Sequence, residues 1–507
     1  MNAFSKMGGA VAVGAALLAG VSGVALAQAD KNTVVIAYPT DPASLDPIQV
    51  TQGPGMPMMR AMFSQPLEQK EDLTLGPNVV KSYKWIEEGK TLEVTLRDDV
   101  TFHNGDKLTT EDFKFTYLDR LTDNKLALSG AVGSKIGNIE IKSPTVAVVT
   151  LKSPFPTLFT WWGFLANFIV PKKYYESVGG AEGFIKKPVG SGPYKFVEYE
   201  RGSRLVMERY DGYFGEKAKT QRVVVQMVKD ASARVASIQS KQVDIAYDVP
   251  LKEASRLGQV AGLTATIEPI ANVMMLQIRN IGVMENQDVR LAMHYAINKQ
   301  AISRALFEGK APPISFTGAP GMLGAPKDFT FPYDLNKAKE HLAKAGYSPA
   351  NPAKLTLLTF RGVFPNDWEI ANILVQQWKG IGVEATLEQI EQPQYYDLNH
   401  NGKLKEATLF NWAGAGDPEM FTGYIMNPSL RFSAWKSDDM KAEFDKLFVE
   451  MNQDKRMAEY ARVQKLIVEK GYTIPLLQSV GTMVTQANVS VPWATSGWIN
   501  LAKIVKN

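Results

Sequence analysis

The sequence contains no cysteine, and this absence excludes several kinds of chemistry at once. Disulfides, thiolate nucleophiles, cysteine-ligated zinc and iron–sulfur clusters all require that side chain. Histidine is also scarce, with four residues in 507, and none of them shows the H-E-x-x-H or i,i+4 spacing typical of a metal site. We therefore expect neither a metal nor a cofactor.

A large excess of positive charge is missing too, because 56 Lys and Arg oppose 52 Asp and Glu, a formal net charge of +4. So small an excess argues against a nucleic-acid partner. Hydrophobic residues make up 45% of the chain and charged residues 21%, which is typical of a globular protein rather than a disordered one. At roughly 100 to 200 residues per domain, the length predicts two to four domains.

The usual catalytic signatures are absent as well. The sequence has no G-x-S-x-G elbow, no Walker loop and no G-x-G-x-x-G after a predicted strand. We predict that the protein is not an enzyme. The alternative is a periplasmic hydrolase whose site is assembled from residues that sequence spacing does not reveal.

The first 27 residues differ from the rest of the chain. Lys6 is their only charge, residues 7–27 are uncharged and rich in small and aliphatic side chains, and Ala25-Leu26-Ala27 is a small-x-small site. This pattern predicts a cleaved signal peptide over 1–27. An uncleaved membrane anchor is the alternative, because 21 uncharged residues are long enough to cross a bilayer. We expect a soluble protein exported to the periplasm that begins near Gln28.

Short runs of β-branched residues alternate with helical patterns along the remaining chain, which predicts an α/β fold. Strands are predicted over 33–38, 91–97, 145–151, 222–228, 354–360, 383–388 and 405–411. A helix is predicted over 109–121, where Thr109 and Asp112 form a capping pattern, and further helices are predicted over 288–307, 438–452 and 454–470.

The most informative local unit is 354–388, in which a strand, a loop, a helix from about 367 to 379 and a second strand follow closely on one another. This order predicts a βαβ crossover with parallel strands. In open α/β sheets, ligands bind beyond the carboxyl ends of the strands. Arg361 and the loop 412–418 both follow predicted strands, so we expect the ligand there.

Three further segments together resemble one protein family. They are Thr101–Phe113 (TFHNGDKLTTEDF), 188–194 (PVGSGPY) with 208–215 (ERYDGYFG) downstream, and 288–298 (DVRLAMHYAIN). In this order they are similar to signatures of the extracytoplasmic solute-binding proteins of ABC transporters, of the dipeptide, oligopeptide and nickel type (family 5).

This resemblance implies a periplasmic binding protein type 2-like fold in which two α/β lobes clamp the ligand and a third lobe is inserted. The implied division is 28–66, 188–274 and 477–507 for lobe I, 67–187 for lobe II, and 275–476 for lobe III. The implied function is to capture a small solute by hinge closure and to deliver it to a membrane permease. The implied protein is a monomer with a small-molecule or peptide ligand; a receptor of the same fold for a signal molecule, an opine or a chelate is the alternative.

In the dipeptide-binding members, an arginine at a strand end holds the ligand carboxylate, and Arg361 stands in the matching loop 361–366. A guanidinium can donate two parallel hydrogen bonds to a carboxylate, so we expect an anionic group on the ligand. The alternative is that Arg361 pairs with a carboxylate of the protein itself.

The peptide-binding members also carry an aspartate three residues after a tryptophan, which neutralises the ligand's ammonium, and here that position is Ala415. A buried ammonium without a counter-charge costs several kcal/mol, so free-amine peptides are doubtful unless Asp417 or another acid substitutes. The remaining expected ligand-binding residues are Trp412, Ala413, Gly414 and Thr40.

Overall fold

The computed structural model describes residues 32–50, 53–122, 132–165, 167–414 and 416–507. The predicted signal peptide and Ala415 lie outside these residues. Within them the chain forms an α/β fold, as predicted from the sequence.

The ends of the strands determine where the candidate site lies. They are β1 Thr33–Tyr38, β2 Leu67–Gln69, β3 Leu75–Pro77, β4 Val80–Glu87, β5 Thr91–Leu96, β6 Ile136–Ile141, β7 Val146–Leu151, β8 Tyr194–Glu200, β9 Arg204–Arg209, β10 Arg222–Met227, β11 Ile245–Tyr247, β12 Leu263–Ile278, β13 Ala353–Thr359, β14 Val383–Gln389, β15 Ala407–Ala413, β16 Thr473–Gln486, β17 Val489–Ser490 and β18 Val505–Lys506.

Helices alternate with these strands along the chain. They are α1 Met56–Met62, α2 Thr110–Lys114, α3 Leu158–Trp162, α4 Lys172–Ser177, α5 Ala181–Phe184, α6 Ala231–Gln239, α7 Leu251–Leu257, α8 Gln287–Tyr295, α9 Lys299–Phe307, α10 Leu335–Lys344, α11 Asp367–Lys379, α12 Gln392–His400, α13 Thr422–Met426, α14 Asp438–Leu447 and α15 Gln453–Glu469. A π-helical segment, Phe115–Asp119, continues α2.

A ten-stranded sheet runs through the molecule in the order β14-β13-β15-β12-β16-β11-β1-β10-β9-β8. Strand β1, the first of these strands in the chain, is buried on both faces. Val34 and Ile36 enter one hydrophobic core, and Val35 and Ala37 enter another. A strand covered on both sides needs an uninterrupted apolar run, which explains the sequence TVVIAY.

Two long antiparallel strands, β12 and β16, join the two halves of this sheet. They pair from Leu263 with Gln486 to Pro269 with Val480, and pairing resumes only at Val273 with Gln478. We call residues 269–273 together with 478–480 the strand break. On one side of it lie β11, β1, β10, β9 and β8, and on the other lie β15, β13 and β14.

A separate four-stranded sheet, β4-β5-β7-β6, has a core of its own. This core is rich in aromatic side chains, with Phe113 and Trp162 in edge contact at 5.5 Å between ring centres. All four strands come from residues 80–151, within the segment predicted as lobe II.

Two of the family-like segments pack against each other. The Nε2 atom of His103 donates a hydrogen bond to the carbonyl oxygen of Gly192 at 3.0 Å, and the Gly190 amide donates to its Nδ1 at 3.3 Å. Burial lowers the pKa of His103 to about 4, so the ring is neutral and fits these roles. His103 therefore has a structural role, because it links the segment 101–113 to the segment 188–194.

The predicted helix 288–307 is in fact two helices, because α8 ends at Tyr295 and α9 begins at Lys299. Asn298 caps α9 by accepting a hydrogen bond from the Ala301 amide at 2.9 Å. An asparagine side chain that binds a backbone amide competes with helix continuation. The βαβ prediction is confirmed, since β13 and β14 are parallel neighbours with α11 between them in the chain.

Candidate functional site

On one side of the strand break, the carboxyl ends of β1 and β11 point towards it. These two strands are parallel, and β11 is antiparallel to β16, with Tyr247 opposite Met483. The chain that follows Tyr247 therefore runs alongside β16 towards Val480 and Gln478, which belong to the strand break. The residues that follow β1 and β11 therefore lie beside the strand break.

On the other side, the carboxyl ends of β13 and β15 point back towards the same break. β15 is antiparallel to β12, and its last residue, Ala413, lies opposite Asn272. β13 is parallel to β15, with Leu357 opposite Ala407. Two sets of strand ends thus face each other across the strand break.

Arg361 comes two residues after β13, in a loop fixed by Asp367. The Asp367 carboxylate accepts hydrogen bonds from the amides of Gly362 at 2.9 Å and Val363 at 2.8 Å. The Arg361 side chain is exposed and its guanidinium carbon lies 5.4 Å from the centre of the Trp368 ring. Among the described residues it has no ion pair with a protein carboxylate, so its hydrogen-bond donors remain available.

The residues at the end of β15 are held in place by hydrogen bonds. Trp412 is half-buried and its indole nitrogen donates to the Met420 carbonyl oxygen at 3.1 Å, which fixes the ring, while Ala413 is exposed. The Gly414 amide donates to the carbonyl oxygen of Ala271 at 2.5 Å. A Cβ at position 414 would lie 2.4 Å from that oxygen, so only glycine allows β15 to end this close to the strand break.

Thr40 lies on the opposite side, two residues after β1, and is half-buried. Its hydroxyl donates to the carbonyl oxygen of Asp41 at 3.3 Å. The Asp41 carboxylate in turn accepts hydrogen bonds from the Tyr199 hydroxyl at 2.9 Å and the Gly202 amide at 2.8 Å. Thr40 therefore sits on a loop that is tied to the β8–β9 turn.

Asp417 is engaged inside the protein. It is 4% exposed, forms an ion pair with Arg456 and accepts a hydrogen bond from the Glu419 amide at 3.0 Å. Arg456 is itself 3% exposed. The Asp417 carboxylate is therefore the counter-charge of a buried arginine and does not stand free for a ligand ammonium.

Asp248, at the carboxyl end of β11, is a residue that sequence reasoning did not single out. It follows β11, and its amide donates to the Thr482 carbonyl oxygen at 2.9 Å, two residues from the strand break. Its side chain is 56% exposed, and loss of hydration raises the pKa of the carboxyl. β11 has only three residues, too few for a periodic pattern, so the only sequence signal was Asp-Val-Pro after a short apolar run.

The part of the chain that the structure describes has no group of three or more His, Asp or Glu residues arranged to hold a metal ion. None of its helices is both long and apolar enough to cross a membrane.

Comparison with known proteins identifies the family of this chain. The family described as "Bacterial extracellular solute-binding proteins, family 5 Middle" matches residues 74–430. The chain belongs to this family. The resemblance predicted from the three sequence segments is thereby confirmed.

Relatives of this solute-binding protein match it over most of their length. Heme-binding protein A of Haemophilus influenzae is 23% identical, covering 90% of this chain and 88% of the relative. The nickel-binding periplasmic protein of Escherichia coli is 25% identical over 94% and 95%. The glutathione-binding protein GsiB of Salmonella typhimurium is 27% identical over 81% and 80%.

Solved structures share the fold. NikA from Brucella suis, in complex with Fe(III)-EDTA, has a TM-score of 0.85 at 20% identity and covers 94% of this chain and 100% of its own. DppA from Helicobacter pylori, in complex with the peptide STSA, has a TM-score of 0.80 at 22% identity and covers 94% and 98%. The predicted periplasmic binding protein fold is confirmed.

The solute-binding protein has a concavity of about 600 Å³. It is lined by residues 60–78 and by the C-terminal residues 494–505 among others, and by none of the predicted ligand-binding residues. Two of its charged groups, Glu71 and Lys503, pair with each other at 2.7 Å.

Glu419 connects two segments of the solute-binding protein that are far apart in the sequence. Its carboxylate accepts a hydrogen bond from the Thr157 hydroxyl at 2.8 Å, across 262 residues of sequence. Burial and the neighbouring Asp417 carboxylate raise the pKa of Glu419 to about 7, against the opposing effect of Arg456. Glu419 therefore holds a proton in the folded protein at pH values where the unfolded chain has lost it.

This difference predicts a pH-dependent stability. The folded-state pKa lies above the unfolded value, so the contribution is fully present below about pH 4 and is lost as the pH rises through about 7. Between about pH 5 and 7, Glu419 should lower the free energy of unfolding by about 1.4 kcal/mol per pH unit. Urea unfolding at stepped pH measures this slope.

The variant Glu419→Gln should lose that component of the slope, because glutamine stays neutral throughout. The control Glu469→Gln changes an exposed carboxyl on α15 and should retain the wild-type slope. Equal slopes in the wild type and Glu419→Gln would contradict the assignment.

Proposed function

We propose that this protein captures a small solute in the crevice at the strand break and delivers it to the membrane permease of an ABC transporter. The observation that carries the proposal is the arrangement of the strands. The carboxyl ends of β1 and β11 face those of β13 and β15, and only β12 and β16 join these two halves within the sheet. A solute contacting both sets of ends stabilises the closed arrangement, so binding shifts the population towards it.

We propose that the strand break is the hinge between lobes I and III. The predicted boundaries, 274/275 and 476/477, lie within a few residues of it on β12 and β16. Pro269 supports this role because proline lacks the amide hydrogen that a continuous ladder needs. The Gln478 side chain donates to the Ile270 carbonyl oxygen at 3.1 Å, so this backbone oxygen of the strand break has a hydrogen-bond donor from within the break.

We propose that Arg361 holds an anionic group of the solute, with Trp412, Ala413 and Thr40 completing the contacts. Support comes from the exposed guanidinium with no protein carboxylate beside it among the described residues. Gly414 has a shaping role, since its backbone fixes the end of β15. The solute class is peptide or peptide-like; named relatives bind heme, nickel and glutathione, so the family name alone does not choose among them.

We further propose that residues 1–27 are removed on export and that the mature protein acts in the periplasm as a monomer without catalysis or cofactor. The charge pattern of that segment supports export. The bound solute should be recovered chemically unchanged, and cleavage of a bound peptide or ester would instead establish a hydrolase.

A thermal-shift screen tests the function. We expect a compound among di- to pentapeptides, their N-acetylated forms, opines, oligosaccharides and metal chelates to raise Tm. At 100 times its Kd, such a compound adds about 2.7 kcal/mol of stability, because it binds the folded state alone. The same compound should reduce the radius of gyration measured by X-ray scattering.

The scattering result separates binding from hinge closure. A non-binding compound of the same charge serves as the control and should leave the radius of gyration unchanged. Binding without compaction would contradict closure about the strand break, and no binding by any compound in the screen would contradict the proposed solute capture.

A further inference from the structure

The side of the crevice formed by β1 and β11 holds one acidic side chain that no protein group saturates. Asp248 follows directly after β11, with a backbone φ of 55°. Its carboxylate accepts no hydrogen bond from the described residues, and its side chain is 56% exposed. An aspartate turned towards solvent inside a crevice is free to accept hydrogen bonds from a ligand.

The nearest cationic group, the guanidinium of Arg234, forms no hydrogen bond with the Asp248 carboxylate. Its Nη2 atom lies 4.0 Å from Asp248 Oδ2, beyond hydrogen-bond distance. The guanidinium instead donates to the carbonyl oxygens of Val228, Lys229 and Asp248 at 2.9, 2.9 and 2.5 Å. Arg234 is 4% exposed and lies behind the loop, where it fixes the backbone that carries Asp248.

Two stacked tyrosines stand next to this acid. Tyr38 and Tyr247 stack with 4.9 Å between ring centres and 15° between planes. Their hydroxyls donate to the carbonyl oxygens of Pro54 at 2.9 Å and Gly497 at 2.5 Å, which fixes both rings. Tyr38 is 2% exposed and supports the half-buried Tyr247 ring from behind. An aromatic ring beside a carboxylate favours a cation, because the ring quadrupole and the negative charge attract it together.

We propose that Asp248 supplies the negative charge of a cation-binding site, so that the captured solute carries a protonated nitrogen on the β11 side of the crevice. This inference rests on the proposed solute capture. Asp417 is committed to Arg456, so Asp248 is the acid that replaces it as the counter-charge of an ammonium. With Arg361 on the opposite side, the site selects a solute with a cationic and an anionic group.

The ionisation of Asp248 gives this site a pH dependence. The ionisable groups that interact with the carboxyl electrostatically are Arg234 of α6, Tyr38 of β1 and Tyr247 of β11. Loss of hydration raises the pKa of Asp248, and a bound ammonium would lower it again. Affinity for an amine should therefore fall as acid protonates the carboxylate.

The experiment compares matched probes on the full mature protein: alanine peptides of two to five residues and opines, each with a free amine and N-acetylated. Calorimetry should give at least about tenfold weaker binding for each acetylated form, as expected for loss of a charged hydrogen bond. Asp248→Asn should weaken binding of the free amine by about 10- to 100-fold. The same variant should leave acetylated forms unaffected and abolish the acid-dependent loss of affinity.

The control is Asp211→Asn, which removes the same charge from an exposed carboxyl after β9, three strands away from β11, where Asp211 pairs with Arg209 at 2.9 Å. It should bind every probe like the wild type. Equal binding of free and acetylated forms, or unchanged affinity in Asp248→Asn, overturns this inference and leaves solute capture standing. Failure of every probe to bind contradicts the proposed peptide-like solute and this inference together.

Discussion

Replacing Arg456 with methionine should lower the free energy of unfolding by about 3 to 5 kcal/mol at pH 8. The variant keeps most of the side-chain volume but leaves two buried carboxylates, Asp417 and Glu419, without their cation. Both acids are 4% exposed, so water does not replace the lost interaction. Urea unfolding followed by far-UV circular dichroism measures the loss.

The control Arg462→Met removes an arginine from the same helix, α15. The Arg462 side chain is 47% exposed and pairs with Glu459 at 2.8 Å, so its removal should cost less than about 1 kcal/mol. The loss in Arg456→Met should also shrink at pH 5, because the stranded carboxylates take up protons. A loss equal to that of Arg462→Met would contradict a buried ion pair.

Replacing Arg361 with alanine should weaken binding of an anionic solute by about 30-fold or more, the effect of removing one partner of a desolvated charged contact. The fold should be unaffected, because Arg361 is exposed and its loop is held by Asp367. Isothermal titration with the compound found in the screen measures affinity, and circular dichroism checks the fold.

Two variants sharpen this result. Arg361→Lys retains the charge but not the planar fork, so it should recover only part of the affinity. Arg304→Ala removes an exposed arginine on α9 and should bind like the wild type. Unchanged affinity in Arg361→Ala would remove this residue from the site.

Local sequence patterns predicted the helices and strands that are determined by residues close together in the chain. The capping box formed by Thr109 and Asp112 is present at the start of α2, because both partners lie within one turn. The strand 33–38 is found with its predicted bounds, since its apolar run reflects burial on both faces. The family also followed from the sequence, because ordered segments survive where overall identity to relatives is low.

Long-range pairing was not visible in the same way. β12 continues through Pro269 for 16 residues because β16 supplies hydrogen bonds on either side of the break, and no local pattern announces that partner. Asp417 and Asp248 illustrate the same limit. The sequence shows no partner for Asp417 beside the predicted ligand loop, whereas the fold places Arg456, 39 residues away, against it. The three residues of β11 are too few to form a pattern that would mark Asp248.

The sequence by itself determined the α/β class, the absence of sulfur chemistry, the family and the two loops after β13 and β15. These depend on composition, on periodicity and on residues close in the chain. Only the tertiary structure decided which charges remain free to meet a solute. A side chain is free or paired according to groups that the fold brings to it from elsewhere in the chain, as Arg456 reaches Asp417 and the β11 end exposes Asp248.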